Sequence, residues 1–376
     1  MNSPFQYGKL ATGSSFINRQ AEKLQLKSNL ISGINTVVIS PGRWGKSSFV
    51  RDSLAELEKD SRELRVCQIN LFSIRTDTEF YQLFTKELFK SFFTTQESLK
   101  AIIKELLHEV SPRITPGADT SNDFTISLES QNIKGYESYI LDLPERLANS
   151  TGQRIIVCLD EFQNLARLRD FTALAPKISN AWQKQQNVSY CIICSKNKIM
   201  TDLFTAPSNP FYRFAQILHL SKISENDWVQ YIIDSFKRTG KSISRPIATL
   251  LVQRVNCHAW YVQQYAHFSW ILTSNNVTES ILSESFNQLT ITNLALFKRE
   301  CESMSPSQLG LLIAIASHEK AYTSISAMVK YGLGTPQNVT KNKELMQRKD
   351  LVEATPDGFT FLDPVFENWF ISEYLN

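Results

Sequence analysis

The chain predicts an α/β fold: a parallel sheet with helices on both faces, then an all-helical segment, then a winged helix-turn-helix. Three observations predict it. A β-branched run, Thr36–Ser40, passes through a tight turn into Gly45-Lys46-Ser47-Ser48 and an amphipathic stretch. Up to about residue 220, apolar runs of strand length alternate with longer stretches of helical periodicity. From Ser221 onward strand signals vanish until a hairpin near the C-terminus. The expected domains are therefore a P-loop core over 1–220, a helical lid over 221–300 and a winged helix over 301–376.

The first observation carries the most chemistry. A strand, a tight loop with Gly-Lys-Ser and a helix make a concave anion site, because successive backbone N–H groups point at one spot. Pro41, Gly42, Arg43, Trp44, Gly45, Lys46, Ser47 and Ser48 form the expected cradle. Gly45 lacks a Cβ where the backbone must approach phosphate. Lys46 is expected on the β- and γ-phosphates of ATP, and the Ser47 hydroxyl on Mg²⁺. The common pattern begins with Gly, and here Ser40 takes that place.

Before this loop, a helix is expected from about Glu22 through Leu30. After it come a helix over Ser47–Lys59, a strand over Leu64–Leu71 and an amphipathic helix over Phe80–Phe93. Ser98–Val110 reads as a helix, Ser111–Asn132 as a loop holding a short strand or hairpin, and Tyr136–Asn149 as a helix. Arg154–Glu161 is an apolar run ending in two acids, Phe171–Gln186 is helical, and Val188–Ser195 and Gln216–Leu220 are strands. Helices follow at Glu225–Thr239, Arg245–Val255, Trp260–Thr273 and Thr278–Leu296, the first capped by Ser224 with Asp227 three on. The C-terminal pattern is helix (Ser305–Glu319), helix (Ile325–Tyr331), helix (Pro336–Lys349), then a hairpin around Pro356-Asp357-Gly358.

Composition bounds what the chain can be. Its 376 residues, 42% hydrophobic and 20% charged, describe an ordinary globular protein of two or three domains. A net charge of +3 is too small to argue for nucleic acid by itself. There is no apolar run of about 18 residues, and the polar Met1–Ser15 does not read as a secretory leader, so a cytoplasmic protein without a membrane role is expected. The six cysteines are scattered, as reduced thiols are. Cys191 and Cys194 lie in a strand-like run, where residues three apart face opposite sides, which disfavours a metal or redox pair.

The second half of a nucleotide site is expected at Asp160-Glu161. An acid at the end of a buried strand helps hold Mg²⁺, the role assigned to Asp160. Glu161 can polarise the attacking water as general base. Alone, such acids also cap loops. Ser195, ending the next strand, is expected beside Asp160, orienting water or sensing the γ-phosphate, or simply closing a strand. Arg213 can stabilise transition-state charge, in cis or from a neighbouring subunit, or serve a structural ion pair. His258 begins a lid helix and either approaches the nucleotide or packs.

These residues resemble a known group. Phe16-x-x-Arg19-x-x-Glu22, Arg43-Trp44-Gly45-Lys46-Ser47, Leu159-Asp160-Glu161-Phe162-Gln163, Cys194-Ser195 and Asn209-Pro210-Phe211-Tyr212-Arg213 look like the archaeal-type ATPase family, a prokaryotic P-loop branch near the AAA+ and STAND groups. His258-Ala259-Trp260-Tyr261-Val262-Gln263-Gln264 is similar to its lid motif, with Ala259 where Pro is usual. Tyr331–Pro336 and Phe361–Trp369 are similar to its winged-helix end. The resemblance implies an AAA+-like core with the P-loop strand central, a helical lid, ATP with Mg²⁺, and Phe16 and Arg19 near the adenine.

Two function classes follow. One is an ATPase whose hydrolysis drives conformational change, as a monomer or homo-oligomer. The other is a slow nucleotide-dependent switch or DNA-binding adaptor acting through the winged helix. For DNA, Lys341, Lys343, Arg348 and Lys349 cluster on and after the second helix of the helix-turn-helix. Yet residues 301–376 carry six Lys/Arg against nine Asp/Glu, and the hairpin tip bears Asp357, a poor start for phosphate neutralisation. A protein client or internal packing is the larger share of the expectation.

Overall fold

The computed structural model describes residues 2–9, 17, 19–61, 63–93, 106, 113–116, 124–127, 133, 135–195 and 198–375. The chain forms two compact units. One, the sheet unit, comprises 19–40 and 46–220; the other, the helical unit, comprises 1–18, 41–45 and 221–376.

The sheet unit is built on β1 (Thr36–Ser40), β2 (Leu64–Asn70), β5 (Arg154–Asp160), β6 (Val188–Ser195) and β7 (Gln216–His219), in the order β2-β5-β6-β1-β7. Every pairing is parallel. β1 is an interior strand, held between β6 and β7, while β6 occupies the midpoint of the sheet. The strands read as continuous apolar runs because both faces are covered: all five residues of β1 are buried.

On one face lie α1 (Gln20–Ile31) and α2 (Lys46–Asp60), burying Leu26, Leu30, Phe49, Val50, Leu54 and Leu57. Lys23 of α1 pairs with Asp52 of α2, and also with Glu56 at 2.8 Å. On the other face are α3 (Asp77–Phe92) and α6 (Phe171–Trp182). Here Trp182 stacks on Tyr190 of β6, ring centroids 4.1 Å apart. A separate antiparallel hairpin, β3 (Arg113–Pro116) with β4 (Phe124–Ser127), falls in the stretch expected to hold one.

The differences from expectation are local. The single helix expected over Tyr136–Asn149 is two, α4 (Glu137–Leu141) and α5 (Leu143–Thr151), with Pro144, which lacks an N–H, in the first turn of the second, where that donor is not needed. A 3₁₀ helix at Phe162–Arg167 and α7 (Lys198–Thr205) are additional. The helix expected over Ser98–Val110 lies outside the described residues, Leu106 excepted.

The helical unit contains α8 (Glu225–Arg238), α9 (Arg245–Arg254), α10 (Ala259–Leu272) and α11 (Glu279–Glu302). Ser224 caps α8, accepting from Asp227 N–H at 3.2 Å. α11 runs past Leu296 because nothing in Phe297–Glu302 breaks a helix, and Phe297 packs on Phe366 and Trp369. The winged helix is α12 (Pro306–Ala316), α13 (Ile325–Lys330), α14 (Pro336–Arg348) and the hairpin β8 (Val352–Thr355) with β9 (Gly358–Phe361). A further helix not expected, α15 (Pro364–Tyr374), closes the chain. A Ser305–Gln308 capping box starts α12. The N-terminal residues also belong here: Phe5 is buried against Tyr231 and Phe236, and Gln6 N–H donates to Gln263.

Candidate functional site

In the sheet unit the chemistry gathers at the C-terminal ends of the strands. β1 and β5 are both neighbours of β6, so Lys46, directly following the β1 loop, and Asp160, ending β5, are one strand apart. The electrostatics agree. Burial pushes the Cys194 thiol of β6 up to about 12, and Lys46, Glu161 and Asp160 all act on it, the lysine downward and the acids upward.

Lys46 is buried at the start of α2, and its ammonium donates to the Ser40 carbonyl at 3.0 Å. Ser47 and Ser48 follow, both half-buried. The Ser40 departure has a structural reason. Residue 40 is the last residue of β1, in register with Ser195, so glycine's freedom is not needed there. The left-handed positions come later, at Arg43 (φ 61°) and Gly45 (φ 88°). A Cβ on Gly45 would meet nothing within 4 Å, leaving open space over that backbone.

Asp160 is half-buried, and its Oδ1 accepts from the Glu161 N–H at 2.9 Å. Glu161 is left-handed, φ 59°, a conformation that costs a non-glycine residue about 1–2 kcal/mol and is often kept at functional sites. Gln163, which sequence reasoning did not select, ties the corner together. Its amide N–H donates to Glu161 Oε2, and its Oε1 accepts from the Ser195 N–H at 3.3 Å. Its signal in the sequence is its place in the Leu159–Gln163 motif, two residues after the acids, where it was given no role.

Ser195 does end a strand adjacent to β5. The register, however, pairs Leu159 with Ile192 and Ser195 with Ser40. It therefore stands beside the end of β1, and reaches Glu161 through Gln163. Arg213 is exposed on a left-handed backbone, its guanidinium 5.1 Å from the Tyr212 ring centroid. Arg19 is buried and left-handed just before α1, 3.8 Å from Glu22, with burial lowering its pKa to about 10. Phe16 lies outside the described residues.

The other expected residues belong to the helical unit. Pro41 is buried, and Gly42 and Trp44 are half-buried, with Lys222 Nζ 5.4 Å from the Trp44 ring centroid. Arg43 is exposed, its guanidinium 5.4 Å from the Trp260 ring centroid. Two successive left-handed residues, Asn256 and Cys257, turn the chain so that His258 enters α10. His258 is 4% exposed, and among the described residues its Nδ1 has no hydrogen-bond partner. Burial, then the charges of Lys222 and Arg43, pull its pKa down to about 3, so the ring is neutral at pH 7.

The four clustered basic residues, Lys341, Lys343, Arg348 and Lys349, do not form a free patch. Lys349 pairs with Glu300 at 2.9 Å. Lys343 lies over two rings, 4.1 Å from Tyr322 and 5.0 Å from Phe359, and burial lowers its pKa. Lys341 and Arg348 are exposed.

The site residues fit a magnesium nucleotide. A hydroxyl at a helix start and one carboxylate at a strand end are what Mg²⁺ takes from protein when phosphates supply the rest. Among the described residues no cluster of three or more His, Cys, Asp or Glu suggests an all-protein metal cage.

The fold is therefore a five-stranded parallel sheet with helices on both faces, followed by an all-helical region ending in a winged helix. Comparison with known proteins agrees. Residues 295–372 match the family model of a probable winged helix domain. The Walker-type ATPase PABY2304 of Pyrococcus abyssi is similar in structure, with a TM-score of 0.65 at 16% identity, over 96% of this chain and 97% of that one. The Aeropyrum pernix ORC2 protein, solved as ADPNP–ADP complexes, is similar with a TM-score of 0.54 at 13% identity, over 99% and 100% of the two chains. The Aeropyrum pernix ORC1 protein, solved in complex with DNA, gives 0.51 at 12% identity over 96% and 94%. No curated protein matches the chain significantly.

Proposed function

We propose that this chain binds ATP with Mg²⁺ and couples ATP occupancy and slow hydrolysis to a conformational change. The carrying observation is that Lys46 opens the helix after β1 while Asp160 and Glu161 end β5, one strand away in a parallel sheet. Lys46 leaves the Ser40 carbonyl for the β- and γ-phosphates, a charge-assisted contact stronger than the one it gives up. Ser47 and Asp160 hold Mg²⁺, which supplies charge neutralisation on the phosphates when bound. Glu161 accepts the proton of the attacking water. Gln163 holds that carboxylate in place, and Ser195 is held by the same amide. The adenine is assigned to Arg19 and Phe16.

Arg213, exposed on the sheet unit, is assigned to the site of a second copy, so ATP is expected to promote self-association. For the winged helix, the charge arrangement favours a protein client over DNA, since Lys343 and Lys349 already have partners within the unit.

ATP hydrolysis by the purified chain, with and without duplex DNA, and its mass with and without ATP, tests these assignments together. Lys46→Ala is expected to lower nucleotide affinity by about 100-fold or more, as loss of a buried charged contact does. Unchanged affinity would refute the site. A mass that stays monomeric in ATP refutes the role given to Arg213.

A further inference from the structure

In the winged helix, α13 (Ile325–Lys330) turns two apolar side chains away from the fold. Ile325 and Val329 are 80% and 79% exposed, the two most exposed large hydrophobic side chains among the described residues. Four apart, they share one face of the helix. The opposite face is the packed one: Ala327 is buried, Met328 lies against the core of the helical unit, and the Ser324 hydroxyl caps the helix by accepting from Ala327 N–H at 3.1 Å. Nothing in local folding calls for the exposed pair. β-Branched residues are poorer helix formers than alanine, lysine or glutamate, and at these positions they bury little. A lone exposed apolar side chain is ordinary; two together on one face of a six-residue helix mark a surface for contact.

The charges along this stretch are of one sign. From Lys320 through Lys343 the chain carries four lysines and no Asp or Glu. Lys320, Lys330 and Lys341 are exposed. Lys330 directly follows Val329, its ammonium 4.8 Å from the Tyr331 ring centroid. Tyr331, and more weakly Glu319, raise its pKa, so it is a cation at pH 7. Glu319 borders the stretch and is turned to the main chain, accepting from the Lys320 and Ala321 N–H groups at 2.9 and 2.8 Å. An apolar pair among lysines is complementary to apolar side chains flanked by carboxylates. We propose that α13 docks an acidic amphipathic segment of another protein, apolar residues on Ile325 and Val329 and carboxylates towards the lysines. This names the surface and the chemistry of the protein client proposed above, and rests on that reading. Charge also sets the other occupants aside. Two copies meeting through this face would set lysine against lysine. Duplex DNA would take up the lysines but leave Ile325 and Val329 facing charged phosphates, where they gain little by burial.

The test uses the full chain and a labelled helical peptide with leucines at i, i+3, i+4 and i+7 and glutamates elsewhere, beside the same peptide with lysine for glutamate. The acidic peptide should bind with micromolar affinity, and its lysine counterpart about 10-fold more weakly or worse. Ile325→Ser/Val329→Ser should keep the wild-type circular dichroism, because both side chains are exposed, and weaken the acidic peptide by about 10-fold or more, the loss of two apolar contacts. Lys330→Glu should weaken it about three-fold, and less at high salt. If the acidic peptide binds and the double substitution leaves its affinity unchanged, the α13 surface is wrong and the client reading stands on another face. If neither peptide binds, both fall. Equal or tighter binding of the lysine peptide overturns the charge argument. Duplex DNA, phosphatidylserine vesicles or a second copy that binds in the peptide's place, and is lost in the double variant, overturns the proposal in favour of that occupant.

Discussion

The strand tips of the sheet unit and the helix surfaces of the helical unit place their charged side chains in opposite ways. In the first, Asp160 and Glu161 sit at a strand tip, with main-chain or amide groups as their hydrogen-bond partners. In the second, the basic residues that invite a nucleic-acid reading are drawn into structure: Lys349 pairs with an acid of α11, and Lys343 covers two aromatic rings. The contrast teaches what to look for. A buried strand holds a carboxylate at its tip without neutralising it, so the charge is kept for a ligand. A helix surface brings partners within reach at every turn, so its charges are commonly spent before a ligand arrives.

The largest expected effect tests the first half of this contrast. Glu161→Gln preserves size and the hydrogen bond with Gln163 but cannot take a proton. Turnover should fall by about 100-fold or more, with ATP affinity changed less than about two-fold. Steady-state hydrolysis and calorimetric titration measure the two separately. Turnover at the wild-type level would make Glu161 a structural acid, as the winged-helix lysines are structural bases.

A stability effect tests the second half. Gly310 lies in α12 where a Cβ would come within 2.0 Å of the Tyr331 carbonyl oxygen. Gly310→Ala gains a little helix propensity but must push the Tyr331 backbone away, costing about 2–3 kcal/mol by overpacking. Chemical denaturation should show that loss. Unaltered stability would mean that the helix-turn-helix is loosely packed, and that its lysines are freer than their positions indicate.

How much of this was legible beforehand follows the same division. The sheet unit was readable because fully buried parallel strands leave unbroken apolar runs, and because Gly45-Lys46-Ser47 and Asp160-Glu161 mark strand ends. Gln163 stands in the motif with the two acids, but its role is not legible there, because only register brings Ser195 N–H to it. Ser195 was placed one contact wrong for the same reason, since strand adjacency can be read and register cannot. In the helical unit, helices were found by periodicity, but α15 was not, and the Tyr261–Asp363 bond joins residues 102 apart with no shared motif. Pro144 hints at the break near Asp142 but does not decide it, since Pro176 sits inside the unbroken α6.

His258 stands between the two behaviours, an ionisable group kept neutral by burial. Its folded pKa near 3 lies below its ordinary 6.5. As pH falls below 6.5 the unfolded chain takes up a proton that the folded chain refuses, so stability is lost progressively across that window and is unaffected above it. The slope approaches about 1.4 kcal/mol per pH unit. Between pH 7 and pH 5 wild type should therefore lose about 2 kcal/mol more than His258→Asn. Equal losses would show that the folded chain takes up the proton as readily as the unfolded one, so that burial does not keep this imidazole neutral.

The smallest expected effect is the one that most sharply separates the units. With Lys343 and Lys349 engaged, Lys341 and Arg348 are the exposed remainder of the basic cluster, and two cations neutralise few phosphates. Each phosphate contact contributes a slope of about −0.9 in the logarithm of affinity against the logarithm of salt concentration. Duplex DNA titrated at two salt concentrations should show weak binding, and the Lys341→Ala/Arg348→Ala pair should leave it unchanged within about two-fold. Tight binding at low salt that the double substitution removes would mean that the winged helix keeps charges for a ligand just as the strand tips do. The two units would then differ in what they bind, not in whether their charges are available.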